Sequence, residues 1–235
     1  VLGDAESARI GKLNEDLYGV RFMGSRAYLV TFERVDPLYI VDLSEPTAPM
    51  IVGELEVPGF SDLLHEVNAE LLLGLGSSER RFPKLELYNV SDASNPQSLG
   101  CVELGTARVA GVMSPDGCDA TVPAEWEWSY SPAQYNRYAF TYLQGQEIDR
   151  LTVPYAAGGM VGSDYEYVDR IALFELTSKS KPEAATLNLV GEIELSPGSV
   201  SDDTRVIIDR DALYVIAHSD LLSGFWNNPA AVTPV

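Results

Sequence analysis

The sequence contains two similar twelve-residue segments, called here the repeated phrase, and this repetition limits what the chain can fold into. LYIVDLSEPTAP covers residues 38–49, and LELYNVSDASNP covers residues 85–96, which is 47 residues later. Each copy is followed by a second apolar stretch with a glycine at the same offset, Gly53 and Gly100. A looser copy, IALFELTSKSKP, covers residues 171–182. A period of about 40 to 50 residues indicates a protein built from stacked copies of one structural unit.

The repeated units consist of β-strands. Apolar residues recur with a period of two in RAYLVTF (residues 26–32), LYIVDL (38–43) and IVGELEV (51–57). These stretches are rich in β-branched and aromatic residues, and Gly, Pro, Ser or Asp bound them, as is typical of short strands. No long stretch has the apolar stripe of an amphipathic helix, so little helix is expected. In this interpretation, the front of each phrase is the third strand of its unit, and Ser-acid-x-x-x-Pro is the turn to the fourth.

Four strands in about 45 residues are typical of one blade of a β-propeller. A single four-stranded antiparallel meander cannot cover both of its own faces, so each blade must pack against its neighbours. We predict an all-β chain with complete blades at residues 17–57, 61–105 and 136–196 and a partial blade at 205–225. Because closed propellers typically have about four to eight blades, this number indicates either one part of a larger ring or a ring that closes by association of chains.

Much of the chain resembles a family of secreted bacterial and archaeal proteins with a C-terminal β-propeller distantly related to WD40 repeats. The similar stretches are residues 18–67, LLLGLG (71–76), LELYNVSDASNPQSLG (85–100), WSYSPAQYNRYAF (128–140) and ALYVIAHSDLL (212–222). The resemblance implies a location outside the cytoplasm: extracellular, at the cell surface or periplasmic. It also implies that the chain is the C-terminal part of a seven- or eight-bladed ring, whose N-terminal blades belong to the same precursor. The family supplies no firm catalytic set, and NRYAF (136–140) departs from its usual pattern.

The charge of the chain excludes some partners. The formal net charge is −19, from 35 acidic and 16 basic residues. Nucleic acids and anionic lipids bind basic faces, so neither is an expected partner. No apolar run approaches the roughly 20 residues of a membrane span, so none is predicted. The acidic composition suits a soluble protein in a salty medium and also a protein that attracts cations such as Ca²⁺.

Two histidines beside acidic residues are the first candidate binding residues. His65 precedes Glu66, and His218 lies two residues before Asp220. An imidazole beside a carboxylate could bind a metal ion or accept a proton. The alternative for both histidines is a structural position at the end of a strand. If both share carboxylates in one concave pocket, the chain would be a metal-assisted hydrolase or lyase with its site at the propeller channel.

Two acidic stretches supply further candidates. Asp202 and Asp203 in SDDTRVIIDRD are candidate Ca²⁺ ligands, although the stretch lacks the D-x-D-x-D-G spacing and also suits a turn. Asp164 and Tyr165 lie in GSDYEYVD (162–169), an insertion in the third unit. Insertions on a rigid scaffold frequently carry function, so this stretch is the expected surface for a partner.

Two pairs of residues have competing structural and functional interpretations. Trp126 and Trp128 in EWEWSY would face the same side of a strand. They would form either an exposed platform for a sugar or peptide or a packing contact between blades. Cys101 and Cys118 could form a disulfide in an oxidising compartment or remain two buried thiols.

The sequence contains no recognisable catalytic constellation. It lacks a serine nucleophile elbow, a P-loop, an H-E-x-x-H motif and a C-x-x-C motif. The predicted function is therefore a non-catalytic binding or scaffolding module, with a protein or glycan at the cell surface as its partner. No organic cofactor is expected, and Ca²⁺ is the candidate bound ion.

Overall fold

A computed structural model of the protein describes residues 16–32, 36–105, 113, 118 and 125–235. These residues form four antiparallel β-sheets and three short 3₁₀ helices, and they contain no α-helix. The architecture confirms the prediction of an all-β chain made of propeller blades. No helix among these residues has the length and apolar character needed to cross a membrane.

Within each sheet, the strands pair in chain order. The first sheet contains β1 (Asp16–Met23), β2 (Arg26–Phe32), β3 (Asp36–Asp42) and β4 (Met50–Val57). The second contains β5 (Phe60–Asn68), β6 (Leu71–Ser77), β7 (Pro83–Asn89) and β8 (Gln97–Glu103). The third contains β9 (Trp128–Tyr130), which pairs with β11, and then β10 (Thr141–Leu143), β11 (Asp149–Val161), β12 (Asp164–Thr177) and β13 (Thr186–Leu195). The fourth contains β14 (Arg205–Asp209), β15 (Ala212–Ala217), β16 (Asp220–Phe225) and β17 (Asn228–Pro234), and the 3₁₀ helices are Pro132–Gln134, Arg137–Ala139 and Pro182–Ala184.

The fourth sheet has four strands, whereas the sequence predicts only a partial blade at residues 205–225. Strands β16 and β17 pair with each other in an antiparallel ladder. Strand β17 contains Pro229 and Pro234, and proline is depleted in strands because it donates no backbone hydrogen bond. The strand is tolerated because it lies at the edge of its sheet, where one side of the backbone has no ladder partner.

Each sheet packs face to face against the next one in the chain. Strand β6 is buried along its whole length because consecutive residues serve two different interfaces. Leu72 belongs to the core between the first and second sheets, whereas Leu73 belongs to the core between the second and third. A third core, which includes Leu173, Ile193 and Val215, lies between the third and fourth sheets.

The outer face of the fourth sheet is apolar and exposed. The strand register places five side chains on this face, each 38–61% exposed: Ile207, Tyr214, Ile216, Leu221 and Phe225. The opposite face of the same sheet is buried against the third sheet through Val206, Ile208 and Val215, among others. The exposed face therefore has the composition of a packing surface.

Each copy of the repeated phrase ends in a turn. In both copies, one side chain stabilises the turn through the same kind of hydrogen bond. The Asp42 carboxylate accepts a hydrogen bond of 2.8 Å from the Ser44 backbone N–H. At the equivalent position, the Asn89 amide oxygen accepts a hydrogen bond of 3.0 Å from the Ser91 backbone N–H. An Asp or Asn side chain that bonds the backbone two residues ahead stabilises a turn, which explains why these residue types recur.

The fourth strands of the first three sheets share a bulge. The cross-strand register skips one residue in each of them: Val52, Leu99 and Val190. A glycine follows each bulged residue. At Gly53, an added Cβ would lie 1.9 Å from the carbonyl oxygen of Ala93, which belongs to the turn of the second phrase. The glycine therefore lets one sheet approach the turn of the next.

We expect Gly53→Ala to lower the free energy of unfolding by about 2–4 kcal/mol, because the new methyl group would overlap a backbone carbonyl that has little freedom to move. The matched control is Gly191→Ala, where the added Cβ would lie 2.7 Å from a side-chain carbon of Pro229. A proline ring can shift more readily than the backbone, so the control should lose less stability. Urea unfolding of both variants measures the difference, and equal losses would contradict the explanation.

Candidate ligand-binding cleft

A cleft of about 390 Å³ lies between the second sheet and the loop that leads into the third. Strand β5 contributes Asp62 and Leu63 to its wall. Residues 133–138, which include parts of two 3₁₀ helices, supply the rest of the lining. Small-molecule sites typically have volumes of about 300–1,000 Å³, so the cleft has the size of a ligand site.

Asp62 differs from the other residues of this cleft because its carboxylate is partly buried and incompletely hydrogen-bonded. Ser61 pairs with Gly76 and Leu63 pairs with Leu75, so the register leaves Asp62 in a bulge of β5. Its Oδ2 atom is buried and has no hydrogen-bond partner in the part of the chain that the structure describes. Burial raises the pKa of this carboxyl to about 6. Unpaired carboxylates with a raised pKa cluster at functional sites, and β-bulges are frequent there too.

Hydrogen bonds hold the loop beside Asp62 in a defined conformation. Ser131 caps the first 3₁₀ helix, and its hydroxyl accepts a hydrogen bond of 3.1 Å from the Ala133 N–H. The Gln134 side chain completes a capping box by accepting a 2.9 Å bond from the Ser131 N–H. Gln134 also donates a 2.6 Å hydrogen bond from Nε2 to the Ser77 hydroxyl of β6. This contact ties the loop to the second sheet.

Asn136 has a similar structural role in the second half of the loop. Its side-chain oxygen accepts a 3.1 Å hydrogen bond from the Tyr138 N–H, and its Nδ2 donates a 2.9 Å bond to the Asp202 carbonyl oxygen. The loop is thereby also tied to the turn that precedes the fourth sheet. Because Gln134 and Asn136 are engaged in the fold, the groups left to meet a ligand are Asp62, Arg137 and the nearby tyrosines.

Two tyrosines of the loop present their rings to solvent. Tyr135 is 78% exposed and Tyr138 is 63% exposed. The Arg137 guanidinium lies 5.0 Å from the centre of the Tyr138 ring and donates a 3.1 Å hydrogen bond to the Tyr138 hydroxyl. The Tyr135 ring stacks on Tyr130 with centroids 6.2 Å apart and an angle of 20° between the planes. The cleft therefore combines one carboxylate, one guanidinium and exposed aromatic surface.

The predicted residue His65 lies near this cleft, but aromatic rings surround it. It is three residues from Asp62 on β5, and its ring centre lies 4.1 Å from that of Tyr142. Burial and the charge of Arg21 lower its pKa, which favours the neutral imidazole. Glu66 forms an ion pair of 3.3 Å with Arg21, so its carboxylate also has a structural partner.

The second predicted histidine, His218, belongs to a different sheet. It lies in the turn between β15 and β16 with a φ of 54°, and Asp220 begins the next strand. Both residues are exposed. Among the residues that the structure describes, no group of three or more His, Cys, Asp or Glu side chains could hold a metal ion. The structure therefore does not bring His65 and His218 into one metal site.

The predicted calcium ligands Asp202 and Asp203 lie in an exposed turn before β14. The Tyr130 hydroxyl donates a 3.1 Å hydrogen bond to Asp202 Oδ1. Desolvation and this hydrogen bond raise the pKa of Tyr130 to about 12. The Asp203 N–H donates a 3.4 Å bond to the Ser201 hydroxyl, which is a turn contact. Calcium binding at this stretch stays a prediction.

The two tryptophans lie in different surroundings, in contrast to the expectation that they would share one side of a strand. Trp126 precedes β9, and its side chain is buried in the core between the second and third sheets, where a ligand has no access. Trp128 lies on β9 and donates a 2.5 Å hydrogen bond from Nε1 to the Tyr165 hydroxyl. Gly158 makes room for its ring, since an added Cβ would lie 2.9 Å from it. Asp164 is exposed at the tip of the β11–β12 hairpin.

The two cysteines, Cys101 and Cys118, form a disulfide whose Cα atoms lie 5.5 Å apart. Cys101 belongs to β8, so the bond attaches residue 118 to the last strand of the second sheet. Closing a loop of this size stabilises a fold by about 3 kcal/mol in the chain-entropy model.

Four residues of the cleft are not predicted by any pattern in the sequence: Asp62, Tyr135, Arg137 and Tyr138. The predicted third blade begins at residue 136, whereas residues 137–139 form a 3₁₀ helix and β10 begins at Thr141. The available signal was S-P-A-Q at residues 131–134, which has the cap, proline and glutamine positions of a capping box. A bulge at Asp62 has no comparable signature in the sequence.

We expect Asp62→Asn to raise the free energy of unfolding by about 1–2 kcal/mol at pH 7.5, after allowance for the partial exposure of the side chain. The carboxyl has a higher pKa in the folded chain, about 6, than its ordinary value of 3.8. Ionisation therefore destabilises the fold increasingly from about pH 4 to pH 6 and fully above that range. The gain from Asn should vanish below about pH 4.

Unfolding curves of the wild type and Asp62→Asn between pH 3.5 and 8, at conditions where each refolds, measure this difference in the free energy of unfolding. Asp220→Asn is the matched control because Asp220 is exposed on the fourth sheet. It should change stability by less than about 0.5 kcal/mol throughout. A pH-independent effect of Asp62→Asn would show that desolvation of the carboxylate is not its cause.

Comparisons with known proteins agree with this architecture. The sequence profile described as Beta propeller domain matches residues 2–228. An uncharacterized protein of Methanocaldococcus jannaschii is 40% identical over 101 residues, which are 41% of this chain and 16% of the relative. An uncharacterized protein of Archaeoglobus fulgidus is 32% identical over 186 residues, which are 78% of this chain and 28% of the relative. The matched segments thus span less than a third of either relative, and the chain belongs to the Beta propeller domain family.

Proposed function

We propose that the chain is a non-catalytic binding module that works outside the cytoplasm and binds its ligand in the cleft at Asp62. The observation that carries the proposal is the buried Oδ2 atom of Asp62, which has no hydrogen-bond partner among the described residues. An unsatisfied buried polar atom lowers the stability of the fold by about 1–3 kcal/mol. Asp62 lines the cleft, so a ligand that donates hydrogen bonds to its carboxylate would offset this penalty.

The location outside the cytoplasm is supported by the disulfide between Cys101 and Cys118. Disulfides form and persist mainly in oxidising compartments such as the periplasm and the extracellular medium. The alternative function, a metal-assisted hydrolase or lyase, required His65 and His218 in one site. The two histidines lie on different sheets, and no observation on the described residues favours that function.

We also propose a scaffolding role for the exposed apolar face of the fourth sheet. The second and third sheets bury both of their faces against neighbours. The matched segments cover only 16% and 28% of the two archaeal relatives. We therefore propose that a further blade of the same polypeptide packs on the face that carries Ile216 and Phe225.

Mass spectrometry of the protein purified from its natural source tests this packing partner. We expect a mass near twice that of 235 residues, because a seven- or eight-bladed ring needs about as many blades again. A natural protein of 235 residues that forms a closed oligomer through this face would contradict the proposal and assign the face to a second copy.

Thermal unfolding with added probes tests the binding cleft. The probes are neutral oligosaccharides, free amino acids with dipeptides, and CaCl₂. At a concentration of about 100 times its Kd, a ligand of the native state should stabilise the wild-type chain by about 2.7 kcal/mol. Asp62→Ala should lose this response, and Asp220→Ala should keep it. If no probe stabilises the wild type, or if mass spectrometry shows that a stabilising probe is consumed, the proposal of non-catalytic binding at this cleft is wrong.

A further inference from the structure

The charges of the cleft restrict the class of ligand. Asp62 and Arg137 line the same cleft and carry opposite charges at neutral pH. A cationic ligand would be attracted by Asp62 and repelled by Arg137, and an anionic ligand would meet the reverse. Neither sign of charge is therefore favoured as a whole. A neutral ligand with many hydroxyl groups can donate to the carboxylate and accept from the guanidinium without any charge of its own.

The exposed tyrosines indicate that the ligand also has an apolar face. Tyr135 and Tyr138 are among the most exposed large side chains of the described residues. Aromatic rings have apolar faces and contribute much of the binding energy where they are covered on binding. A pyranose ring has an apolar C–H face with hydroxyl groups around its edge, so it can lie on a tyrosine ring and still reach Asp62 or Arg137.

Hydrogen bonds fix the loop backbone at both tyrosines before any ligand arrives. The Tyr135 N–H donates a 3.1 Å hydrogen bond to the Pro132 carbonyl oxygen at the end of the first 3₁₀ helix. The Tyr138 N–H donates a 3.1 Å bond to the Asn136 side chain. A fixed loop backbone reduces the conformational freedom that is lost on binding, which favours affinity for a rigid ring.

From the charges, the exposed rings and their rigid support, we propose that the cleft binds a neutral saccharide. Tyr135 and Tyr138 stack on sugar rings, the carboxylate of Asp62 accepts hydrogen bonds from hydroxyl groups, and Arg137 donates to hydroxyl or ring oxygens. This inference rests on the proposed binding function and names its ligand class. The saccharide is either a soluble oligosaccharide or the exposed part of a cell-surface polymer.

Affinity electrophoresis in native gels that contain a neutral polysaccharide tests the ligand class. The polysaccharides are a soluble α-glucan, a soluble β-glucan, a mannan and a galactan, each in a separate gel. We expect at least one to retard the wild-type chain, and we expect Tyr135→Ala and Tyr138→Ala each to weaken the interaction at least tenfold. Tyr135→Phe should keep most of the affinity because its ring still stacks.

The matched control is Tyr214→Ala, since Tyr214 is an exposed tyrosine on the fourth sheet, away from the cleft. It should migrate as the wild type does in every gel. Calorimetric titration with oligosaccharides cut from the retarding polysaccharide separates the two sources of the saccharide. Tight binding of the short fragments indicates a soluble sugar, and binding to the polymer alone indicates a surface glycan.

Different results would contradict the saccharide assignment and the proposed binding function on which it rests. If no neutral saccharide binds but an amino acid or dipeptide stabilises the wild type and not Asp62→Ala, the cleft binds a ligand and the saccharide assignment is wrong. If saccharides bind equally to the wild type and both alanine variants, the sugar site lies elsewhere, and the inference is overturned. If no probe of any class binds, the proposed function itself is wrong.

Discussion

The structure depends on the face-to-face packing of neighbouring four-stranded sheets, which buries both faces of the second and third sheets. Leu72 and Leu73 are neighbours in β6, yet they belong to the cores on opposite sides of the second sheet. A sheet of this composition cannot be stable alone, because removing one neighbour exposes half of its apolar side chains. The bulges and glycines of the outer strands serve the same packing, since Gly53 lets the backbone approach Ala93 in the next unit.

The packing of the sheet faces also determines where a ligand can bind. Side chains that point out of an interior sheet are already in contact with the neighbouring sheet, so binding groups must come from bulges, turns and insertions. The cleft combines such features: Asp62 leaves the regular ladder at a bulge, and residues 131–139 form a capped loop instead of a regular strand. The repeated units therefore supply the frame, and departures from the repeat supply the chemistry.

The sequence predicts the regular part of this fold well, because a local pattern encodes it. RAYLVTF coincides with β2, and the apolar front of the first phrase lies in β3. The strand β17 escaped prediction because Pro229 and Pro234 are acceptable only at a sheet edge, and edge position is a property of the assembled sheet. The cleft was missed for a similar reason. Asp62 is one acid among 35, and only burial in the folded chain sets it apart.

The cleft lies between the second sheet and a loop that is tied to other parts of the packed array, which links ligand binding to assembly. Asp62 belongs to the second sheet, and the loop that faces it is tied to that sheet through Gln134 and Ser77. The same loop leads into the third sheet and is tied through Asn136 and Asp202 to the turn that precedes the fourth sheet. Loss of either contact would move the tyrosines relative to Asp62. A ligand of this cleft must therefore favour the packed array over separated sheets, because a ligand stabilises the state that it binds.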